Sequence, residues 1–248
     1  MPDFTFVQWL LAILAAACVG FAKAGFSGIG LVPVLIFASL FGARDSTGVT
    51  LPMLLIGDLL AAFTYRQHAQ WLYIKRMLPP ACVGIVLAAW SMAYLSDSQF
   101  RPLLGWIILG LSLLQFTRMQ RPDWFAAVPH AWWFTVSMGL LAGVTTMLAN
   151  AAGPILALYA MAIGLPKLEF VGTIGWFFFL INLFKVPFSV GLGLVRGQTL
   201  LFNVVLIPAV VIGLLSGRWL VGRISQPLFN AILLTFAAFA ALRLIGLV

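Results

Sequence analysis

The stretch TTMLANAAGPILALYA, from Thr145 to Ala160, decides the fold. It lies in one of the most apolar regions of the chain, yet it contains two threonines, an asparagine and the pair Gly153-Pro154. A continuous membrane helix needs none of these residues, because glycine and asparagine are poor helix formers and proline lacks a backbone N–H. The stretch therefore predicts a helix that is interrupted inside an apolar environment.

The composition of the whole chain indicates a membrane protein. Of its 248 residues, 63% are hydrophobic and 8% are charged, whereas soluble domains carry about 25% charged residues. The net charge is +8, but the basic residues are scattered through short loops and form no stripe that a nucleic acid backbone could follow. The composition thus excludes nucleic-acid binding, and it leaves anionic lipid head groups or an anionic cargo as reasons for the positive charge.

Ten apolar segments follow one another along the chain, and two of them are too short to span a bilayer. A full span needs about 20 residues, and the second and seventh segments have about a dozen. Each short segment follows a stretch rich in small residues, which we name the first break (Lys23 to Pro33) and the second break (Thr145 to Pro154). The segments cover approximately residues 4–22, 30–42, 47–64, 77–95, 99–117, 131–149, 153–164, 170–190, 199–217 and 227–247.

The two halves of the chain resemble each other when one is shifted along the other. Glycine, proline and tryptophan matches carry the similarity, and the offset grows only in loops, so the pattern predicts an internal duplication. The predicted units are a first five-segment repeat at residues 1–117, a cytoplasmic linker at 118–130 and a second repeat at 131–248. The matched pairs include Pro33 with Pro154, Asp58 with Asn182, Pro79 with Pro208, Gly84 with Gly213 and Trp90 with Trp219.

An odd number of segments in each half predicts that the second half enters the membrane from the opposite side. If all ten segments cross, nine Lys and Arg residues, Lys23 among them, lie on one side and four on the other, with Lys185 set aside inside the membrane. Positive residues concentrate on the cytoplasmic side, so both termini are expected to face outward. The predicted fold is an all-α polytopic membrane protein built from two inverted repeats of five helical segments, each with a short interrupted helix.

Inverted repeats with interrupted helices are typical of secondary transporters, which bind their substrate where the two breaks meet. The N-terminus of a short helix presents unpaired N–H groups and the positive end of the helix dipole, which together attract an anion. Serine and asparagine are good N-cap residues, so Ser27 and Asn150 are expected to cap the starts of the two short helices. We therefore expect a small anion to bind between the breaks. The residues expected there are Ser27, Gly28 and Gly30 in the first break and Asn150, Ala151 and Gly153 in the second, with Thr145 and Thr146 either lining the break or bonding back to their own helix.

Polar residues in the third segment of each half extend this expectation. Asp58 and Asn182 occupy equivalent positions, and Lys185 lies on the same helix face as Asn182. Buried charges are costly in a membrane and usually face a cavity or a partner. Asn182 and Lys185 are therefore assigned to the substrate shell. Asp58 is assigned to ion coupling, with a structural ion pair to Lys185 left open as the alternative.

These same residues resemble the TauE/SafE family of sulfite and organosulfonate exporters over nearly the whole chain. The similarity is carried by GFSGIGLVPVL and GARDSTGVTLPMLLIGD in the first half, and by NAAGPILALY, GLPKLEFVGT and FFFLINLFKVPF in the second. The resemblance implies a multi-pass protein of the bacterial inner membrane. It also implies export of a small anion such as sulfite, sulfoacetate or a related sulfonate, driven by an ion gradient.

Two other classes of function remain open from the sequence: a passive anion channel, and a membrane enzyme or scaffold. The chain contains no paired catalytic carboxylates, no HExxH, no GxSxG and no cluster of metal-ligating residues. We therefore expect no catalytic residue, metal or cofactor. The expected partners are the anionic substrate and membrane lipids, and a homodimer is left open.

The inverted arrangement predicts the result of cysteine labelling. After replacement of Cys18 and Cys82, a single cysteine at position 120 and one at the C-terminus should react with impermeant reagents from opposite sides of the membrane, because the second half has an odd number of segments. Reaction of both positions from the same side would contradict the inverted arrangement.

Overall fold

The computed structural model describes residues 4–25, 29–121, 132–220 and 242, and within these ranges it is entirely helical apart from turns and short loops. Six of its helices are long and apolar enough to cross a membrane. A short 3₁₀ turn at Arg66–His68 connects α3 to α4. The α-helices are α1 Phe6–Lys23, α2 Leu31–Phe41, α3 Ala43–Thr64, α4 Trp71–Tyr94, α5 Asp97–Gln120, α6 Trp132–Ala149, α7 Gly153–Ala162, α8 Lys167–Gly191 and α9 Gly197–Leu220.

The helices follow the predicted apolar segments closely. The first nine segments each fall on one helix, and α2 and α7 are the two short ones, with 11 and 10 residues. The six spanning candidates are α1, α3, α4, α6, α8 and α9. Helix α5 extends to Gln120, so the predicted boundary at residue 117 falls inside its last turns. The tenth segment and most of the linker lie outside the described residues.

Polar side chains mark several helix starts. Thr5 caps α1 by accepting a hydrogen bond from the Gln8 N–H, and the Gln8 side chain accepts from the Thr5 N–H at 2.8 Å. Ser96 and Gln99 form the same reciprocal pair at the start of α5. Such capping boxes satisfy N–H groups that the first helical turn leaves unpaired.

Contacts along the helices establish their relative directions. Trp9 packs on Phe202 near the starts of α1 and α9, and Gly20 lies against Val210 further along both helices, so α1 and α9 are parallel. Helices α4 and α6 are also parallel. Their contacts pair Gly139 with Pro80, Gly143 with Ala81 and Gly84 with Val144.

Helices α3 and α8 run antiparallel, since the start of α8 lies at the end of α3. Gly172 contacts the backbone at Tyr65, whereas Leu194, just after α8, lies against Gly48 near the start of α3. The start of α3 also lies near the start of α9, because the side chains of Asp45 and Arg196 are 3.6 Å apart. Helices α1, α3 and α9 therefore run in one direction and α4, α6 and α8 in the other. Inverted halves require this arrangement, while the duplication and the membrane sidedness stay predictions.

Glycines let the two parallel pairs approach to backbone contact. A methyl group on Gly20 or Gly213 would collide with the backbone of the facing helix in the α1–α9 pair. Gly84 and Gly143 are in the same position between α4 and α6. Small residues at such crossings are the usual basis of close helix packing in membranes.

The close contact between α4 and α6 predicts the effect of two alanine substitutions. Gly143→Ala should lower the thermal unfolding midpoint in detergent, because the new methyl group would meet the Ala81 carbonyl. Gly110→Ala in α5, which has open space around it, should be neutral or stabilising by about 1 kcal/mol through helix propensity. Equal midpoints for the two variants would contradict the role assigned to the α4–α6 contact.

Candidate functional site

A cavity of about 80 Å³ lies between the two breaks. A single water needs about 10–15 Å³ of such space, so the cavity has room for a small solute. Its walls come from α1, α2 and α3 of the first half and from α6, α7 and α8 of the second. The cavity residues that the sequence singled out are Gly30, Asp58, Thr146, Asn150, Ala151, Gly153 and Asn182.

The first break leaves the end of α1 beside this cavity. Helix α1 ends at Lys23, Gly25 has a φ of 110°, and α2 begins at Leu31. A positive φ of this kind suits glycine because the residue has no Cβ. Gly30, directly before α2, lines the cavity. Ser27 and Gly28 lie outside the described residues.

Within the second break, Asn150, Ala151 and Ala152 form the non-helical connection between α6 and α7. Asn150 has a φ of 52°, and its N–H donates to the Thr146 carbonyl at 3.0 Å. A left-handed residue with this bond terminates the preceding helix, and asparagine is one of the few residue types that tolerate it. The expectation that Asn150 caps the start of α7 is therefore corrected: Asn150 ends α6.

Asp58 is completely buried, and its counter-ion is Lys23 rather than Lys185. Its Oδ1 lies 2.6 Å from Lys23 Nζ, and its Oδ2 accepts a hydrogen bond from Asn182 Nδ2 at 2.7 Å. The direct ion pair between Asp58 and Lys185, which the sequence left open as an alternative, does not form here. Lys185 is connected to the carboxylate only through Asn182, whose Oδ1 lies 3.3 Å from Lys185 Nζ.

Lys185 is 1% exposed and is held by oxygen atoms of the second half. Its Nζ donates to the Thr146 carbonyl at 2.8 Å and to Asn150 Oδ1, with Thr146 Oγ1 at 3.4 Å. The carbonyls at a helix C-terminus carry the negative end of the helix dipole, so the last turn of α6 stabilises the buried ammonium group. Lys185 lies behind the cavity wall rather than in it.

The remaining predicted residues have defined partners. The Thr145 hydroxyl donates to the Leu141 carbonyl at 2.7 Å, so this side chain bonds back to its own helix. Asn150 Nδ2 donates to the Thr47 carbonyl at 2.9 Å. In this structure the amide donors of Asn150 and Asn182 are therefore engaged by protein oxygens.

Lys23 is the site residue that the sequence analysis missed. It was counted as a cytoplasmic loop charge, but it is the last residue of α1, it lines the cavity, and its side chain is 11% exposed. Its ammonium group also lies 4.3 Å from the centre of the Phe178 ring. The available signal was its place at the first residue of a break, where a lysine can stabilise the end of the preceding helix.

These contacts form a continuous polar chain across the interior. It connects the end of α1 to the end of α6, and it joins the two halves through the hydrogen bond between Asp58 and Asn182. Its members are Lys23, Asp58, Asn182, Lys185 and Asn150. Two lysines oppose one carboxylate, so the polar chain carries an excess of positive charge.

Two short helices that follow breaks, a cavity between them and buried ionisable groups at its wall are typical of membrane transporters. The comparison with known families agrees with this assignment. The model of the family described as "Sulfite exporter TauE/SafE" matches residues 10–244. The chain therefore belongs to the TauE/SafE sulfite exporter family. No curated protein and no solved structure matches the chain.

The two roles of Asn150, in the backbone and in the polar chain, predict different effects for two substitutions. Asn150→Gly should destabilise the protein through the lost side-chain hydrogen bonds alone. Asn150→Ala should be worse by about 1–2 kcal/mol, because alanine is strained in the left-handed conformation. Thermal unfolding of both variants in detergent measures the difference, and an alanine variant as stable as the glycine variant would contradict it.

Proposed function

We propose that the protein exports a small sulfur-containing anion, such as sulfite, sulfoacetate or a related sulfonate, across the bacterial inner membrane. Transport is coupled to an ion gradient, and both termini face outward. Membership of the sulfite exporter family supports the substrate class. The observation that carries the proposal is the cavity between the two breaks, beside the buried Lys185, the largely buried Lys23 and the carboxylate of Asp58.

The charge balance around the cavity favours an anion. Lys23 and Lys185 contribute two positive charges and Asp58 one negative charge, and all three side chains are largely removed from solvent. Electrostatic attraction is stronger where water is excluded. An anion is therefore attracted to this region of the protein, whereas a cation is repelled from it.

The starts of the two short helices provide the hydrogen-bond donors in this proposal. Gly30 precedes α2, Gly153 begins α7, and both line the cavity. Helix N-termini bind anions through free N–H groups and through the dipole. The absence of Cβ atoms at Gly30 and Gly153 allows an anion to approach the backbone closely.

In this proposal Asn150 and Asn182 complete the substrate shell, Lys185 holds both amides from behind the cavity wall, and Asp58 is the coupling residue. Because the amides are engaged by Thr47, Asp58 and Lys185 in the described state, they turn toward the anion only when those bonds exchange. Such a site has a moderate affinity for its substrate and releases it readily, as turnover requires.

Transport measurements on purified protein test the function. Proteoliposomes should take up radiolabelled sulfite or sulfoacetate, and an imposed pH or sodium gradient should drive accumulation above equilibrium. Uptake that equilibrates regardless of the gradients would support a passive channel. Absence of uptake of both anions by folded protein would contradict the proposed function.

A pair of glycine variants tests the location of the site. Gly153→Leu should reduce uptake at least tenfold, since the side chain would enter the cavity at the start of α7. Gly191→Leu, at the end of α8 with open space around it, should transport normally. Initial uptake rates normalised to the amount of folded protein provide the comparison, and equal rates would place the substrate elsewhere.

A further inference from the structure

The ion pair between Lys23 and Asp58 lies in the wall of the cavity, directly in the proposed substrate site. Both residues line the cavity, and the two charged atoms are 2.6 Å apart. The described state therefore has a carboxylate, itself a small anion, bound to a lysine of the anion site. This arrangement has a consequence for how an external anion enters.

Lys23 is the cation that an entering anion can reach. Among the cavity-lining residues that the structure describes, it is the one with a positively charged side chain. The ammonium group of Lys185 is already surrounded by oxygens of Thr146, Asn150 and Asn182. The Lys23 ammonium group, by contrast, lies between the Asp58 carboxylate and the ring of Phe178, whose centre is 4.3 Å away. An anion in the cavity therefore competes with Asp58 for Lys23.

An anion and an ionised Asp58 cannot both occupy this site at low cost. Two negative groups that share one small buried site repel each other, and one of them takes up a proton. The charged groups that act on Asp58 are Lys23 from α1 and Lys185 from α8. Of the other helices packed against α3, α2 and α6 carry no charged side chain, and no described charged group of α5 or α9 acts on this carboxylate.

We propose that Asp58 occupies the anion site as an internal competitor, and that an external oxyanion replaces it at Lys23 only when a proton enters with it. The proton binds to Asp58 Oδ1, the oxygen that faces Lys23, while Oδ2 keeps its hydrogen bond from Asn182. The ammonium group of Lys23 then forms its ion pair with the oxyanion instead of with the carboxylate. A monovalent anion and one proton together leave the net charge of the site unchanged.

This inference rests on the proposed function and adds to it the identity of the cation that the anion reaches and the number of protons taken up when the anion binds. It predicts that each bound anion takes up one proton at Asp58. Proton uptake and anion affinity are linked, so affinity should fall by up to about tenfold for each unit of rising pH. Removal of the Asp58 charge should abolish this pH dependence and strengthen binding at high pH.

Calorimetric titration of the full-length protein in detergent with sulfoacetate tests the inference at pH 6, 7 and 8. Both acidic groups of this probe stay ionised in that range, since carboxyl groups titrate near pH 4. Bis-Tris and imidazole are suitable buffers because they are cationic and contain no sulfonate group. The difference in binding heat between the two buffers reports the number of protons taken up.

The wild type should bind most tightly at pH 6 and take up about one proton per anion at pH 7. D58N should bind without proton uptake, with the same affinity at each pH and at least as tightly as the wild type at pH 6. K23Q should lose at least about tenfold in affinity at every pH. Asp45→Asn and Lys75→Gln, which change an exposed carboxylate and an exposed lysine, should behave as the wild type.

A further variant separates binding from folding. If K23Q leaves Asp58 unpaired and yields no folded protein, the double change K23Q/D58N removes both charges and should fold but not bind. D58N that retains proton uptake, or a double variant that binds as tightly as D58N, would overturn the inference while the transport function stands. A wild type that neither binds nor transports sulfite and sulfoacetate would instead overturn the proposed function, and with it the inference.

Discussion

The buried carboxylate of Asp58 is the constraint on which the rest of the arrangement depends. A charge with no access to water is tolerated only when it is paired and hydrogen-bonded. Here the pairing requires Lys23 from α1 on one side and Asn182 from α8 on the other. For Lys23 to reach the carboxylate, α1 has to end at cavity depth. The first break, the end of α1 and the contact between the two halves are thus all tied to one side chain.

The lysines show how the protein uses helix C-termini as well as N-termini. Lys23 lies in the last turn of its own helix, and Lys185 reaches from α8 to the last turn of α6. In both cases a positive charge lies where the helix dipole is negative. The starts of α2 and α7 then remain available to a negative group. Each break therefore contains a negative helix C-terminus and a positive helix N-terminus. The C-termini are compensated by Lys23 and Lys185, whereas the N-termini of α2 and α7 are free to face the proposed substrate.

Much of this arrangement could be predicted from the sequence because it depends on local pattern. Segment length and hydrophobicity predict the nine described helices, and the shifted match between the halves brings Asp58 and Asn182 to equivalent positions, where they contact each other. The partners of the charged groups could not be predicted in this way. Whether Asp58 pairs with Lys23 or with Lys185 depends on where α1 ends in space, and a basic residue at a segment end looks like a loop charge. The role of Asn150 was misread for a related reason: its left-handed backbone is a property of the folded turn, which composition does not record.

The glycine contacts between parallel helices determine which parts of the molecule can move as units. A change of access in which one half rotates as a block against the other would pull α1 away from α9 and α4 from α6, at crossings where the backbones touch. Each of these closely packed pairs combines a helix from one half with a helix from the other. The contact between α3 and α8 also includes glycines, Gly48 and Gly172, but between them lies the buried hydrogen bond from Asn182 to Asp58. The proposed protonation of Asp58 would therefore change the charge at a contact that joins the two halves, so the chemistry of this carboxylate and the way the halves are held together cannot be separated.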